Sequence, residues 1–495
     1  FRAMRIKPTT AAIEESKDCH DSSPTTSSPS PRLVITAAIA VLSGGFHFGF
    51  QMAILNPMAD VLQSFLMTAF ENRYHMPMSA SFQRIVWSSL AASLFIGAAA
   101  GALVGASLVH RTGSARTVVV AALVLSAAIP LSGFAYLITS CELFVLSRLI
   151  TGVGIGIGMT AHGVFLTEIS PVAHRGLISS FGGFSTNLGF ILASFLGLPD
   201  LLGQPTRWHL AYFIAAAPCL VVLAYFMLVA HESPVYLVRR GRDAEAASAL
   251  RAYASCARLD AIRTELASRA HAVTLTEMFR DKASCKALLL STVLNATVSF
   301  SGIVAMSFFG TFLLHQIGFS DRSAAIANCL ASLAGTAGAV TATLAVDRVG
   351  RRLLVIGSLL LLAFINTLMM LLVFLYESTK WFSLGHAFLL LFIAFLFVFS
   401  AGAGPAAWFL GAELAPLGAR ARIQAVSIGT QYLTCFLSPV IYFPLQKCVG
   451  AYSFLLFIVP LCVSALFFYS TLPETRAKTA EQIAKELVGG EKEVD

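Results

Sequence analysis

Two stretches decide the architecture: Glu168–Gly176, EISPVAHRG, and Glu413–Arg422, ELAPLGARAR. Each starts with an acid at the end of a long apolar run, passes a Pro, and reaches an Arg seven residues after the acid. A second pair agrees with the first. His110–Arg116 (HRTGSAR) echoes Asp347–Arg352 (DRVGRR). The first pair follows the fourth and tenth apolar runs, and the second follows the second and eighth. One layout occurring twice, with six runs in each copy, implies duplication and a pseudo-two-fold axis about which two halves can rock around a central site.

The runs themselves lie at about 33–56, 85–108, 116–138, 143–167, 177–200, 209–230, 287–308, 322–346, 352–376, 383–412, 423–446 and 451–471. A helix of about 20 apolar residues spans the ~30 Å hydrocarbon core. The whole chain of 495 residues agrees: 57% is hydrophobic and only 12% charged, where soluble domains carry about 25% charge. Its mean hydropathy is +0.76. The expected fold is therefore an all-α membrane protein of twelve transmembrane helices in two six-helix pseudo-symmetric halves. A soluble enzyme, a disordered scaffold and a nucleic-acid binder are excluded. The net charge of +8 sits in the loops, where topology rather than nucleic acid accounts for it.

Five segments follow. Residues 1–32 are polar, with a stretch from Asp21 to Pro31 that is almost wholly Ser, Thr and Pro, and read as a disordered cytoplasmic tail. Residues 33–230 form an N-terminal six-helix bundle. Residues 231–286, rich in Ala, Arg and Glu, read as short amphipathic helices on the cytoplasmic face. Residues 287–471 form the C-terminal bundle, and 472–495 a second cytoplasmic tail. With both termini inside, 27 of the 34 Lys and Arg are cytoplasmic, as the positive-inside rule asks. Short loops alone are nearly balanced, so the tails and the central segment carry that orientation. The nine cysteines follow no metal-ligand spacing. Cys219, Cys329, Cys435 and Cys462 lie inside apolar runs. Cys141 and Cys448 fall in short outer loops, where pairing is the minor alternative to free thiols.

At seven motifs the chain resembles a known family. They are GGFHFGF (44–50), SRLITGVGIGI (147–157), EISPVAHRG, ESPVYLVRRGR (232–242), VDRVGRR (346–352), GAGPAAWFLGAEL (402–414) and PETRAKTAEQI (473–483). Their order and spacing resemble the sugar porters of the major facilitator superfamily, in the facilitated glucose transporter (solute carrier family 2) group. The resemblance implies a multi-pass protein of the plasma membrane whose partners are lipid and a small solute, with no cofactor and no metal. Oligomeric state is not legible from it.

The resemblance also points to residues. Where hexose carriers of the group show QQLSGIN, this chain has Val298-Ser299-Phe300-Ser301-Gly302-Ile303-Val304. Asn295 keeps an amide, and the family Trp is kept as Trp408. Gln431-Tyr432 replaces Asn-Trp, Gly182-Gly183 replaces His-Gln, and Ser400 stands for a Glu. A hexose offers about five hydroxyls, and each lost partner costs about 0.5–1.5 kcal/mol. The candidate solute ligands are therefore Trp408, Gln431, Tyr432, Asn187, Asn295, Ser299 and Ser301, with core packing or helix–helix bonding as the plain alternative. Glu168, Arg175, Glu232, Asp347, Arg351, Arg352, Glu413, Arg420 and Arg422 are the candidate cytoplasmic gate, with interfacial charge as its alternative. The family's Arg pair after the second run is replaced by Ser114-Ala115, so the lock is weaker in the first half. Gly402, Gly404 and Pro405 predict an interrupted helix in the tenth run.

Energy coupling is constrained too. No Asp or Glu lies at the middle of a run, and Gln51 stands where proton-coupled relatives carry Asp. An amide cannot titrate. No GxxxxGK[ST] loop is present, which removes ATP drive. Facilitative transport of a small neutral solute by alternating access is the leading expectation, with a sugar or polyol as cargo. A sensor of transporter fold is one rival, and a carrier of another organic solute such as urate is the second. His47 and His162 are the titratable groups at depth, read as hydrogen-bonded structural histidines with a proton relay as the alternative, and Arg148 matches a family Arg and reads as structural rather than as a ligand contact.

Overall fold

The computed structural model describes residues 29–171, 174–253, 262–263, 275–416, 419–475 and 480–488. Regular structure among them is entirely helical. In the N-terminal half, α1 (Pro31–Ala40) and α2 (Gly45–Ala53) are linked by the 3-10 turn Val41–Ser43 and bend by 40° at Gly44. Then come α3 (Ala59–Tyr74), α4 (Ala80–Thr112), α5 (Ser114–Leu137), α6 (Cys141–Ile169), α7 (Arg175–Leu196) and α8 (Trp208–Leu228). Short helices α9 (Pro234–Arg239), α10 (Asp243–Tyr253) and α11 (Leu275–Arg280) form the connection. The C-terminal half contains α12 (Lys282–Ser299), α13 (Ile303–Gln316), α14 (Asp321–Val349), α15 (Arg351–Thr379), α16 (Phe382–Ala401) and α17 (Ala403–Leu414). It ends with α18 (Arg420–Val449), the 3-10 turn Gly450–Phe454, α19 (Leu455–Thr471) and α20 (Ala480–Val488).

Among the described residues ten stretches are long and apolar enough to cross a bilayer, or eleven with the bent α1–α2 pair. The expected all-α, many-span architecture is present, and the count differs for a physical reason. The last stretch, Arg422–Thr471, holds both α18 and α19. At 17 residues, α19 is at the lower limit for a span. Two breaks are not foreseen from the sequence: Gly44 in the first run, and Phe300–Gly302 between α12 and α13, where Gly302 takes φ 103°. The expected interruption of the tenth run is present at Gly402, between α16 and α17.

The tails correct the sequence reading at their edges. Residues 1–28 lie outside the described residues, but the polar tail is already structured at its end. Ser30 caps α1, and its hydroxyl donates to the Tyr253 carbonyl at 3.2 Å. In the C-terminal tail, α20 packs on α12 and α17 and buries Ile483 and Leu487. Cys141 and Cys448 are free thiols.

Packing depends on small residues. On α4, Gly97, Gly101 and Gly105 recur every four residues and lie on Leu149, Val153 and Ile157 of α6. A Cβ at Gly97 would sit 3.0 Å from the Gly152 Cα, and one at Gly105 3.0 Å from the Ile157 Cα. Two backbones in direct contact gain dispersion that lipid-facing side chains cannot supply. The opposite faces are apolar as well: Leu103, Leu228, Leu390 and Leu466 are 69%, 82%, 68% and 73% exposed. Such faces are stable in hydrocarbon and not in water. We predict that Gly101→Val lowers thermal stability by about 1–3 kcal/mol through overpacking. Gly357→Ala, whose Cβ meets nothing within 4 Å, leaves the melting temperature of the detergent-purified protein unchanged.

Candidate functional site

One end of the bundle carries α9 to α11 and the other carries α3; they are the linker end and the far end below. At the far end the two halves are stitched together by neutral groups. Asn56 follows α2, where the chain leaves the first apolar run. Its Nδ2 donates to Asn328 Oδ1 at 2.8 Å and to the Met306 carbonyl at 3.4 Å. Its Oδ1 accepts from the Thr311 backbone N–H at 2.7 Å. Asn328 Nδ2 donates to Thr311 Oγ1 at 2.9 Å, and Ser194 meets Ser332 at 3.0 Å. These groups are buried, so each bond replaces a polar atom that would otherwise be stranded in an apolar setting. The ion pair Arg322–Asp200, at 3.0 Å, also joins the halves, but both side chains are exposed and it adds little.

Below this seal lies an aromatic centre. Phe48 of α2 places its ring 6.4 Å from Trp408 of α17 and 6.4 Å from Tyr432 of α18, edge to face in both cases. Phe95 of α4 and Phe308 of α13 extend the cluster. Five of the seven candidate ligands gather on the C-terminal side of it. Asn295 Nδ2 donates to the carbonyls of Ser291 (2.8 Å) and Ala407 (3.2 Å). Two carbonyls on one atom fix that amide's orientation, and they leave its buried Oδ1 without a partner. Gln431 Oε1 and the Tyr432 hydroxyl are also buried and unpartnered. Trp408 is half-buried, and its carbonyl accepts from Gln424 Nε2.

Ser299 belongs to the cluster but is occupied. It donates toward the Asn295 and Gln431 carbonyls at 3.1 and 3.2 Å and accepts from Thr434 at 2.8 Å. Ser301 is turned away: its hydroxyl donates to the Val298 carbonyl at 2.7 Å, and its carbonyl accepts from Asn366 at 3.1 Å, which supports the α12–α13 break. Asn187 stands apart on α7, donating to the Gly183 carbonyl at 2.9 Å with its Oδ1 beside Gly335 of α14.

At the linker end the charged candidates form two matching caps. Gly113 and Gly350 take φ 101° and 90° at the starts of α5 and α15. The Glu232 carboxylate accepts the Ala115 and Arg116 N–H groups at 2.8 and 3.2 Å. The Glu474 carboxylate accepts those of Arg351 and Arg352 at 2.9 and 3.2 Å. A carboxylate there meets orphan N–H groups and the positive end of the helix dipole. A Cβ on Gly113 would come 2.5 Å from the Glu232 carboxyl carbon. The second acids differ: Glu168 accepts from the Ser114 hydroxyl at 2.9 Å, whereas Glu413 has Arg351 at 3.5 Å and Thr475 at 2.9 Å. These contacts stay within one half of the chain. Arg352 reaches the Tyr469 carbonyl at 2.7 Å, and Arg422 is half-buried at the start of α18. The side chains of Arg175, Asp347 and Arg420 lie outside the described residues.

Sequence reasoning missed Glu474, Phe48 and the far-end network. Phe48 and Glu474 sit inside motifs quoted above. Asn56 and Asn328 carried the usable signal, since amides at depth in apolar runs are costly unless they bond across helices.

Known proteins resemble this chain over most of its length. The "solute carrier family 2, facilitated glucose transporter member 3" of Ovis aries is 28% identical over 465 residues, covering 92% of this chain and 93% of that protein. Member 1 of Gallus gallus is 26% identical over 460 residues, with 92% and 93% covered. Among solved structures, the proton:xylose symporter XylE bound to 6-bromo-6-deoxy-D-glucose superposes with a TM-score of 0.74 at 20% identity, covering 92% of this chain and 99% of that one. The partially occluded, inward-open xylose transporter XylE of E. coli superposes with a TM-score of 0.74 at 20% identity, covering 90% and 99%. The family model for "Sugar (and other) transporter" matches residues 36–487. This chain therefore belongs to the sugar (and other) transporter family and is an integral, multi-pass membrane transporter, not an enzyme.

Proposed function

We propose that the protein is a facilitative uniporter of a small neutral solute, working by alternating access between two six-span halves. The observation that carries this reading is the meeting of Phe48 with Trp408 and Tyr432 between the halves, beside amide oxygens of Asn295 and Gln431 that no protein donor meets. Flat apolar faces with a few fixed polar atoms suit a solute that exchanges hydration for stacking and a small number of hydrogen bonds. Sugars and polyols are the first class to test, since the similar proteins are glucose and xylose carriers by name. Residues 33–230 and 287–471 would be the two halves, with α1–α2, α12–α13 and α16–α17 each counted as one broken span. The paired caps of Glu232 and Glu474 support the duplication.

The far-end seal and the within-half contacts at the linker end support an inward-facing state, with both termini and 231–286 cytoplasmic and the far end outside. In the outward-facing state, Glu168, Arg175, Glu232, Asp347, Arg351, Arg352, Glu413, Arg420 and Arg422 would close the cytoplasmic side. Glu168 rests on a serine where Glu413 has an arginine, so the first half contributes less to that closure. The plasma membrane is the compartment this reading implies.

Coupling to protons lacks a carboxylate at the first span. Gln51 is an amide, and His47 is fully buried against Cys219 Sγ of α8 at 3.0 Å. Proteoliposomes holding the protein should equilibrate a labelled solute from a panel of D-glucose, D-xylose and myo-inositol without concentrating it. An imposed inward proton gradient should change nothing, and accumulation that a protonophore collapses would overturn uniport. Trp408→Ala should cut uptake per folded molecule about tenfold or more while the melting temperature stays within a few degrees, because the lost ring lines the site. Asn56→Leu strands Asn328 Oδ1 and the Thr311 N–H, at a cost of about 1–3 kcal/mol to the sealed state. Cysteines placed beneath the seal should then label faster from the far side, and unchanged labelling would remove Asn56 from the gate.

A further inference from the structure

Arg148 has a surrounding that transport by the aromatic centre does not use. It lies on α6 in the N-terminal half and is 0% exposed. Its Nη1 donates to the Gln51 carbonyl and to Gln51 Oε1, both at 3.0 Å. Both acceptors are neutral, and no carboxylate among the described residues forms an ion pair with it. The nearest acid along α6, Glu142, is engaged elsewhere, with Tyr74 at 2.7 Å, Ser140 at 2.7 Å and Arg73 at 3.3 Å. A guanidinium cannot escape by losing its proton. A permanent charge in a helical bundle within hydrocarbon costs several kcal/mol unless something compensates it.

The remaining polar atoms nearby have one property in common: they can donate. Arg148 Nε and Nη2 meet no acceptor. Gln51 must turn its oxygen to Arg148, which leaves its buried Nε2 donor unmatched. The Tyr212 hydroxyl, on α8, has no partner, nor has Thr151 Oγ1 three residues along α6. Phe144, one turn before Arg148, packs edge to face on Tyr212 at 5.8 Å and on Trp208 at 5.5 Å, so rings close the site toward the far end. Unmet donors around an uncompensated cation select a ligand that accepts hydrogen bonds and carries negative charge.

We propose that Arg148, Gln51 and Tyr212 bind a small monovalent anion of halide size. The anion would neutralise Arg148, accept its free N–H groups, and hold Gln51 at the end of α2. Five residues on, the chain reaches Asn56, the knot of the far-end seal, so anion occupancy stabilises the sealed bundle. The site is separate from the solute cluster on α12, α17 and α18, and it stands whether or not the uniport reading does.

The test uses the full chain, purified in detergent, with chloride and bromide as probes against gluconate at constant ionic strength. Chloride should raise the melting temperature by about 2–5 °C and saturate, as binding to the folded state alone requires. Gln51→Glu supplies a carboxylate of the same shape, and it should abolish the chloride effect while matching or exceeding the stability of the chloride-bound parent. Tyr212→Phe should raise the half-saturating chloride concentration about tenfold, one hydrogen bond's worth. In crystals grown with bromide, an anomalous peak should lie within hydrogen-bond distance of Arg148 Nη2. Equal melting curves in chloride and gluconate overturn the proposal, as does a chloride shift that survives Gln51→Glu or bromide density absent from Arg148. Should Gln51→Glu not fold, the Tyr212→Phe titration and the bromide map decide it in the same way.

Discussion

Inside a bilayer no water satisfies a stray backbone or side-chain polar group, and that single constraint explains where this protein is regular and where it is not. Its spans are continuous helix over most of their length. They break at Gly44, Phe300–Gly302 and Gly402, and at Phe300–Gly302 a neighbouring helix makes good a carbonyl set free. At the second break Asn366 takes the freed Ser301 carbonyl, while Asn295 and Gln424 reach the Ala407 and Trp408 carbonyls within α17. Each rescuing side chain is an amide, which can serve a carbonyl without carrying charge into the membrane. The breaks in α12–α13 and α16–α17 lie a few residues before Phe308 and Trp408 of the aromatic centre.

The two ends of the bundle solve the same problem with different chemistry. At the far end, Asn56, Asn328, Thr311, Ser194 and Ser332 join the halves through neutral bonds that are individually modest. Such a seal can open without stranding a charge. At the linker end, water is at hand and carboxylates are tolerated, so Glu232 and Glu474 cap α5 and α15 within their own halves. The buried bonds across the chain's halves at the far end are thus neutral, and the caps at the linker end stay within one half. Ser114 in place of an arginine makes the two caps unequal, and the N-terminal one is the weaker in charge.

Much of this is legible in the residues themselves. The apolar runs, the doubled acid–Pro–Arg motifs and Gly402 point to a many-span helical transporter with a broken tenth span, because span length and hydropathy are local properties. Trp408, Gln431, Tyr432, Asn295 and Ser299 are singled out by resemblance, and they gather in space. Ser301 carries the same signal, yet its hydroxyl serves the chain break. A residue's type is readable from sequence, but which neighbour takes its hydrogen bond is not.

Composition over a window and the spacing of motifs are enough to settle the class, the apolar runs and the lack of an acid at the middle of any run. Three-dimensional packing settles the rest: that Phe48 bridges to Trp408 and Tyr432, that Asn56 ties the far end, that Glu474 mirrors Glu232, and that the buried Arg148 meets only the neutral Gln51. These pairs lie far apart in the chain, 250 residues and more for Phe48 and Asn56 with their partners. Their meeting follows from the angle and register at which helices pack, which small residues such as Gly97, Gly101 and Gly105 set through direct backbone contact.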